Sequence, residues 1–108
     1  MNIIMIDIPL YMLVNLVVTD VVNYQKYEKG FFPLLKKSGG EFGTYEDQPL
    51  HLEGSSLRPG RMIIFRFPSE QAGRDWYADA DYQAFSEFRR AGTRMEFLTL
   101  VHGLPPRK

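Results

Sequence analysis

Hydrophobic residues fall into short blocks, separated by polar and glycine-rich stretches, that predict strands alternating with helices. Most of the strand-like blocks are nearly continuous, which is typical of strands covered on both faces. Strands are predicted at residues 11–18, 41–46, 61–67 and 94–101, with a short continuation of the second at 50–53. Apolar residues at helical spacing after Asp20 and after Ser69 predict two helices, because both residues suit the N-cap position.

Three positions interrupt the predicted helices. Pro33 lacks a backbone donor and disfavours helical geometry at Phe32, which predicts a kink or break in the first helix. Asp79 and Asp81 flank a predicted break that divides the second helix into two parts, and Gly92 suits its C-terminus.

The order of elements is βαββαβ, which predicts an α+β fold of the ferredoxin-like type. In this fold a four-stranded antiparallel sheet, in the order 4-1-3-2, carries both helices on one face. We expect one such domain over residues 11–104, an N-terminal extension at 1–10 and a tail at 105–108.

Both faces of the predicted sheet are apolar. Leu13 and Val17 lie on one side of the first strand and Val14 and Leu16 on the other, and the third and fourth strands follow the same pattern. The helices cover one face, so a second chain is the natural cover for the other. The sequence therefore predicts a homodimer whose sheets face each other.

Composition narrows the choice of partner. The 108 residues carry 13 Lys and Arg against 13 Asp and Glu, which argues against nucleic acid or an anionic membrane as the main partner. There is no cysteine, and His51 and His102 have no metal-binding spacing. We expect no metal, no cofactor and no membrane-spanning segment, and take the protein as cytoplasmic by default.

A block from Phe67 to Gln83 resembles a bacterial family of unknown function within the dimeric α+β barrel superfamily. The matching residues are Phe67-Pro68-Ser69, Ala72, Trp76-Tyr77 and Tyr82-Gln83, with Tyr24, Tyr27, Pro33, Gly39-Gly40, Glu53-Gly54, Arg89 and Gly103. The resemblance covers about residues 12–104. It implies the fold and the dimer, and it implies no established activity.

Candidate ligand-binding residues lie on several of the predicted elements. We expect a cleft between the helices and the sheet, lined by Asn15, Tyr24, Tyr27, Phe65, Trp76, Tyr82 and Arg89. It would bind a small aromatic or acidic organic molecule. A second candidate, at one end of the sheet, is a rim anion site of Tyr11, Arg66 and His102, although Arg66 would more simply pair with an acidic residue.

Two other functions fit the same sequence. Some cofactor-independent monooxygenases and haem-degrading enzymes resemble this arrangement, with Asn on the first strand and Trp on the second helix. The second predicted helix has no histidine, which argues against haem chemistry. The alternatives are a cofactor-independent monooxygenase or isomerase acting on an aromatic or ketone substrate, and a structural dimer without a ligand.

Overall fold

Residues 8–55 and 58–105 are described by the computed structural model, in which strands and helices alternate along one sheet. The strands are β1 (Leu10–Val18), β2 (Glu41–Glu46), β3 (Arg61–Phe67) and β4 (Thr93–His102). The helices are α1 (Val21–Lys37), α2 (Glu70–Ala78) and α3 (Ala80–Gly92). Residues 1–7 of the predicted extension at 1–10 and residues 106–108 of the predicted tail at 105–108 lie outside the described residues.

The four strands form an antiparallel sheet in the order β2-β3-β1-β4, which is the predicted order 4-1-3-2 read from the other edge. In the centre, Val14 of β1 lies between Ile63 of β3 and Leu98 of β4. A β-bulge interrupts each of the two outer strand pairs. It lies near Asn15 in the β1–β4 ladder and at Gly43 in the β2–β3 ladder. The ferredoxin-like α+β fold predicted from the sequence is confirmed.

Side-chain caps begin each helix where the sequence predicts a start or a break. Asp20 accepts a hydrogen bond from the Asn23 backbone, and the Ser69 hydroxyl accepts one from Ala72. Asp79 ends α2 and caps α3 by accepting from the Tyr82 backbone at 2.9 Å. The predicted division of the second helix is therefore present, and a carboxylate at the break satisfies an orphan donor.

Two local predictions were wrong. Residues 50–53 form no strand, because Leu50 and Leu52 are about nine-tenths exposed and their backbone joins no neighbouring strand. A break at Pro33 is also wrong, because the first helix continues past it to Lys37, whereas the alternative of a kink stays a prediction. The buried stripe of α1 continues to Leu35 beyond the proline, and this packing outweighs the single backbone hydrogen bond that Pro33 removes.

Among the described residues, the helices cover one face of the sheet and no element covers the other. Even-numbered β1 residues such as Met12 and Val14 are buried under the helices with Phe65 and Phe67 of β3. The opposite face carries Leu13 of β1, which lies between Ile64 and Thr99 of the neighbouring strands. Among the described residues, no helix is long and apolar enough to cross a lipid bilayer.

Candidate functional site

A small cavity lies between the sheet and helices α1 and α3. Its polar lining comes from Tyr24 and Tyr27 of α1 and from Tyr82 and Arg89 of α3. Phe31 and apolar side chains of β1, β3 and β4 complete the wall. The cavity volume is about 10 Å³, which is close to the space needed for one water molecule.

Helical periodicity places these side chains on the cavity. Tyr24, Tyr27 and Phe31 follow one another at intervals of three and four residues, so they share the buried face of α1. On α3, Tyr82 and Arg89 are seven residues apart and share the buried face in the same way. The two helices approach closely where Gly30 meets the Phe85 ring, since an added Cβ at Gly30 would overlap that ring.

Arg89 is the most unusual residue of the cavity. It is only 5% exposed, and its guanidinium carbon lies 5.7 Å from the centre of the Tyr27 ring. Within residues 8–55 and 58–105 no carboxylate is within ion-pair distance of it, and its buried Nε has no hydrogen-bond partner. A charge removed from water normally requires a partner, and the described residues supply none to the Arg89 Nε.

A pair of buried tyrosines adds a second donor to the cavity. The hydroxyls of Tyr27 and Tyr82 are 2.8 Å apart, and either one can donate to the other. One hydroxyl proton of the pair is then used and the other is free, because neither oxygen has a further partner in the described part of the chain. The cavity therefore offers a guanidinium and a phenol as donors.

Tyr24 connects the cavity to a hydrogen-bond network that the sequence analysis missed. Its hydroxyl lies 3.0 Å from that of Tyr45, which donates to a carboxylate oxygen of Glu28 and accepts from Arg61 at 2.7 Å. Arg61 also pairs with Asp47. These residues come from α1, from the end of β2 with the turn after it, and from β3, and no sequence motif signals their contact. Every charge in this network has a partner, in contrast to Arg89.

Burial changes the acidity of the tyrosines around the cavity. Loss of solvent, followed by contact with Tyr82, raises the pKa of Tyr27 well above its usual value. Burial also raises the pKa of Tyr24, and for Tyr45 burial and the neighbouring Glu28 carboxylate raise the pKa together. These phenols therefore stay protonated at neutral pH and act as hydrogen-bond donors rather than as bases.

Five of the seven predicted cleft residues line the one cavity: Tyr24, Tyr27, Phe65, Tyr82 and Arg89. Trp76 lies behind it, with its ring centre 3.9 Å from that of Tyr82, and forms part of the core. Asn15 lies elsewhere. Strand alternation turns it to the face opposite Val14, where its amide nitrogen donates to the carbonyls of Pro59 and Arg61. The ligand-binding role of these residues stays a prediction.

The three residues of the predicted rim anion site do not come together. Tyr11 and Arg66 are direct neighbours on the open face, where Arg66 lies 3.4 Å from Glu41. His102 pairs with Leu10 across the strands and so faces the helices, where its Nε2 is 2.6 Å from Glu70. Successive residues of a strand face opposite sides of the sheet, and Arg66 and His102 each have an acidic neighbour.

The donor set limits the chemistry that the cavity supports. Its lining contains hydrogen-bond donors but no histidine, aspartate or glutamate that could act as a general base. Asn15 and Trp76, the pair suggested for a cofactor-independent enzyme, lie on opposite faces of the sheet. Within the described residues no three His, Asp or Glu side chains cluster as metal ligands would.

The fold and this internal site define a ferredoxin-like α+β protein with a buried cationic cavity. A family model described as a domain of unknown function (DUF1330) matches residues 9–104. The chain belongs to this family, in agreement with the resemblance noted in the sequence. No curated protein matches the chain.

Solved structures share the fold at low sequence identity. A protein of unknown function from Rhodopseudomonas palustris is 22% identical, with a TM-score of 0.70 over 94% of this chain and 85% of that chain. SnoaB, a cofactor-independent oxygenase from Streptomyces nogalater, is 13% identical, with a TM-score of 0.61 over 94% and 95%. A possible oxidoreductase of unknown function from Bacteroides thetaiotaomicron is 15% identical, with a TM-score of 0.57 over 89% and 98%.

Proposed function

We propose that the protein is a homodimeric binding protein for a small organic anion, which it holds between its helices and its sheet. The observation that carries the proposal is the buried Arg89, which has no acidic partner among the described residues and an unpartnered Nε. An anionic group at this position would compensate the buried charge. The free proton of the Tyr27–Tyr82 pair would donate a second hydrogen bond.

The same features weigh against the two alternatives. An oxygenase or isomerase that deprotonates its substrate needs a base, and the cavity lining has none. A purely structural cleft needs no charge, and an unpaired guanidinium would only lower the stability of such a core. The fold that the chain shares with SnoaB does not by itself transfer that enzyme's activity.

The anion site is tested by thermal unfolding with increasing benzoate. We compare the wild type with Arg89→Met, which removes the buried charge, and with Arg90→Met, which removes an exposed arginine that pairs with Glu87. A ligand at 100 times its Kd stabilises the folded state by about 2.7 kcal/mol, a shift of several degrees in Tm. We expect this shift in the wild type and Arg90→Met and its loss in Arg89→Met. An equal shift in all three proteins would refute the site.

The open face of the sheet supports the dimer. Leu13 and Ile64 are direct neighbours there, Phe97 follows on β4, and no helix of residues 8–55 and 58–105 covers them. Asn15 on the same side has a buried Oδ1 without a partner. An apolar sheet face of this kind suits a self-complementary contact with a second copy, because the same patch meets itself across a two-fold axis.

The dimer is tested by sedimentation equilibrium of Leu13→Glu. Burying an unpaired carboxylate at the centre of the interface should weaken association by about 3 kcal/mol, or more than 100-fold in Kd. Val22→Glu is the matched control, since Val22 is 63% exposed at the start of α1. We expect dimers of the wild type and of Val22→Glu and monomers of Leu13→Glu. A monomeric wild type at micromolar concentration would contradict the proposal.

A further inference from the structure

A larger groove lies next to the Arg89 cavity on the helix-covered side of the sheet. It has a volume of about 490 Å³, which is within the range of about 300–1,000 Å³ that is usual for ligand pockets. Tyr77 and Ala78 at the end of α2 form one wall, and Leu100 of the edge strand β4 forms the other. Met12 lies at its base, so most of the lining is apolar.

Leu98 lines both the groove and the cavity. Its cross-strand neighbour Val14 lines the cavity, whereas the next pair along the same face, Leu100 and Met12, lines the groove. Residues two apart on a strand are separated by about 7 Å. The two spaces are therefore consecutive along β4, and the partly buried Leu98 side chain stands between them.

Neither space suits an organic anion alone. The cavity has room for about one water molecule, so only a small end of a ligand fits beside Arg89. The groove has the volume for an organic body, but its one lining cation, Arg74, already pairs with Glu70 one helical turn away. A charged end would therefore be drawn to Arg89, and an apolar body would be drawn to the groove.

We propose that the ligand is an amphipathic organic anion, with its charged end against Arg89 and its aromatic or alkyl body in the groove, and that Leu98 sets which body is accepted. This inference rests on the proposed anion site and adds the class of ligand. Within the described part of the chain β4 is an edge strand that pairs only with β1, so no described strand lies beyond Leu98 to prevent a change of its rotamer. A ligand that displaces Leu98 joins the two spaces.

The test compares the binding of formate, benzoate and 4-phenylbenzoate by isothermal titration calorimetry. Leu98→Ala removes the side chain between the two spaces, and Leu98→Trp fills the passage. Val22→Ala is the control, because Val22 is 63% exposed at the start of α1 and lines neither space. We expect Leu98→Ala to improve the affinity for 4-phenylbenzoate relative to formate by about tenfold, Leu98→Trp to reduce it by a similar factor, and Val22→Ala to leave it unchanged.

The outcomes distinguish a failure of this inference from a failure of the proposed anion site. If 4-phenylbenzoate binding is lost in Arg89→Met but unchanged in both Leu98 variants, the role of the groove is wrong and the anion site stands. If binding follows Leu98 but is unchanged in Arg89→Met, the anion site is wrong. If none of the three anions binds the wild type, both proposals fail. Should Leu98→Ala not fold, the loss of 4-phenylbenzoate binding in Leu98→Trp, with Arg89-dependent formate binding retained, supports the inference.

Discussion

Replacing Arg89 by Met should make the ligand-free protein more stable, because this arginine is placed for a ligand rather than for the fold. Removing an ion from water costs several kcal/mol even after the protein relaxes, and no acidic partner among the described residues offsets it. The cation–π contact with the Tyr27 ring stabilises the folded state by only about 0.5–2 kcal/mol. Methionine fills a similar volume without the charge, so we expect the free energy of unfolding to rise by about 1–3 kcal/mol.

The free energy of unfolding is measured by urea unfolding at one protein concentration, followed by circular dichroism. In thermal unfolding the same gain would correspond to a rise in Tm of about 4–12 °C for a domain of this size. Arg61→Met is the contrasting variant, because Arg61 pairs with Asp47 and donates to Tyr45. Its loss should destabilise the fold by about 1–3 kcal/mol. If Arg89→Met is destabilised as much as Arg61→Met, Arg89 is a structural residue and the reasoning fails.

Two further predictions concern the packing around the cavity. Because burial raises the pKa of Tyr27, its contribution to stability is complete below about pH 10 and is lost as the pH rises from there toward the folded-state pKa. In pH-dependent urea unfolding, Tyr27→Phe should therefore reduce the decline in stability between about pH 10 and 11 by about 1 kcal/mol per pH unit, and an unchanged slope would contradict the burial of this phenol. Gly30→Ala should destabilise the protein by about 1–2 kcal/mol despite the better helix propensity of alanine, because its methyl group would overlap Phe85. Thermal unfolding of the double variant Gly30→Ala/Phe85→Leu should recover most of that loss, and no recovery would mean that the two helices do not meet there.

The fold was predictable from the sequence because local signals agree with one another. Asp20, Ser69 and Asp79 lie where a helix begins or breaks, and each side chain accepts the capping hydrogen bond expected of it. Period-two and helical patterns predicted the faces of the strands and helices, and Tyr24, Tyr27, Tyr82 and Arg89, which were assigned to one cleft, line the same cavity.

What the sequence did not reveal depends on contacts between distant segments. Asn15 follows the buried Val14 in a continuous apolar run, and both faces of that strand are apolar, so no pattern indicates that Asn15 faces away from the cavity. The pairing of Tyr45 with Arg61 depends on strand register and has no local signal. The position of Leu98 between two spaces follows from how α2 and α3 pack on the sheet, which residue types alone do not determine.

The most direct test of the account is to observe the Arg89 Nε–H group while an anion is added. In ¹H–¹⁵N spectra of arginine side chains, this signal is assigned by its absence in Arg89→Met, and benzoate is then titrated into the wild-type protein. A buried Nε without a hydrogen-bond partner should give a protected signal that shifts saturably as the carboxylate binds. If the Arg89 signal does not move at saturating benzoate, while signals elsewhere show that benzoate is bound, the anion does not reach Arg89 and the central claim is wrong.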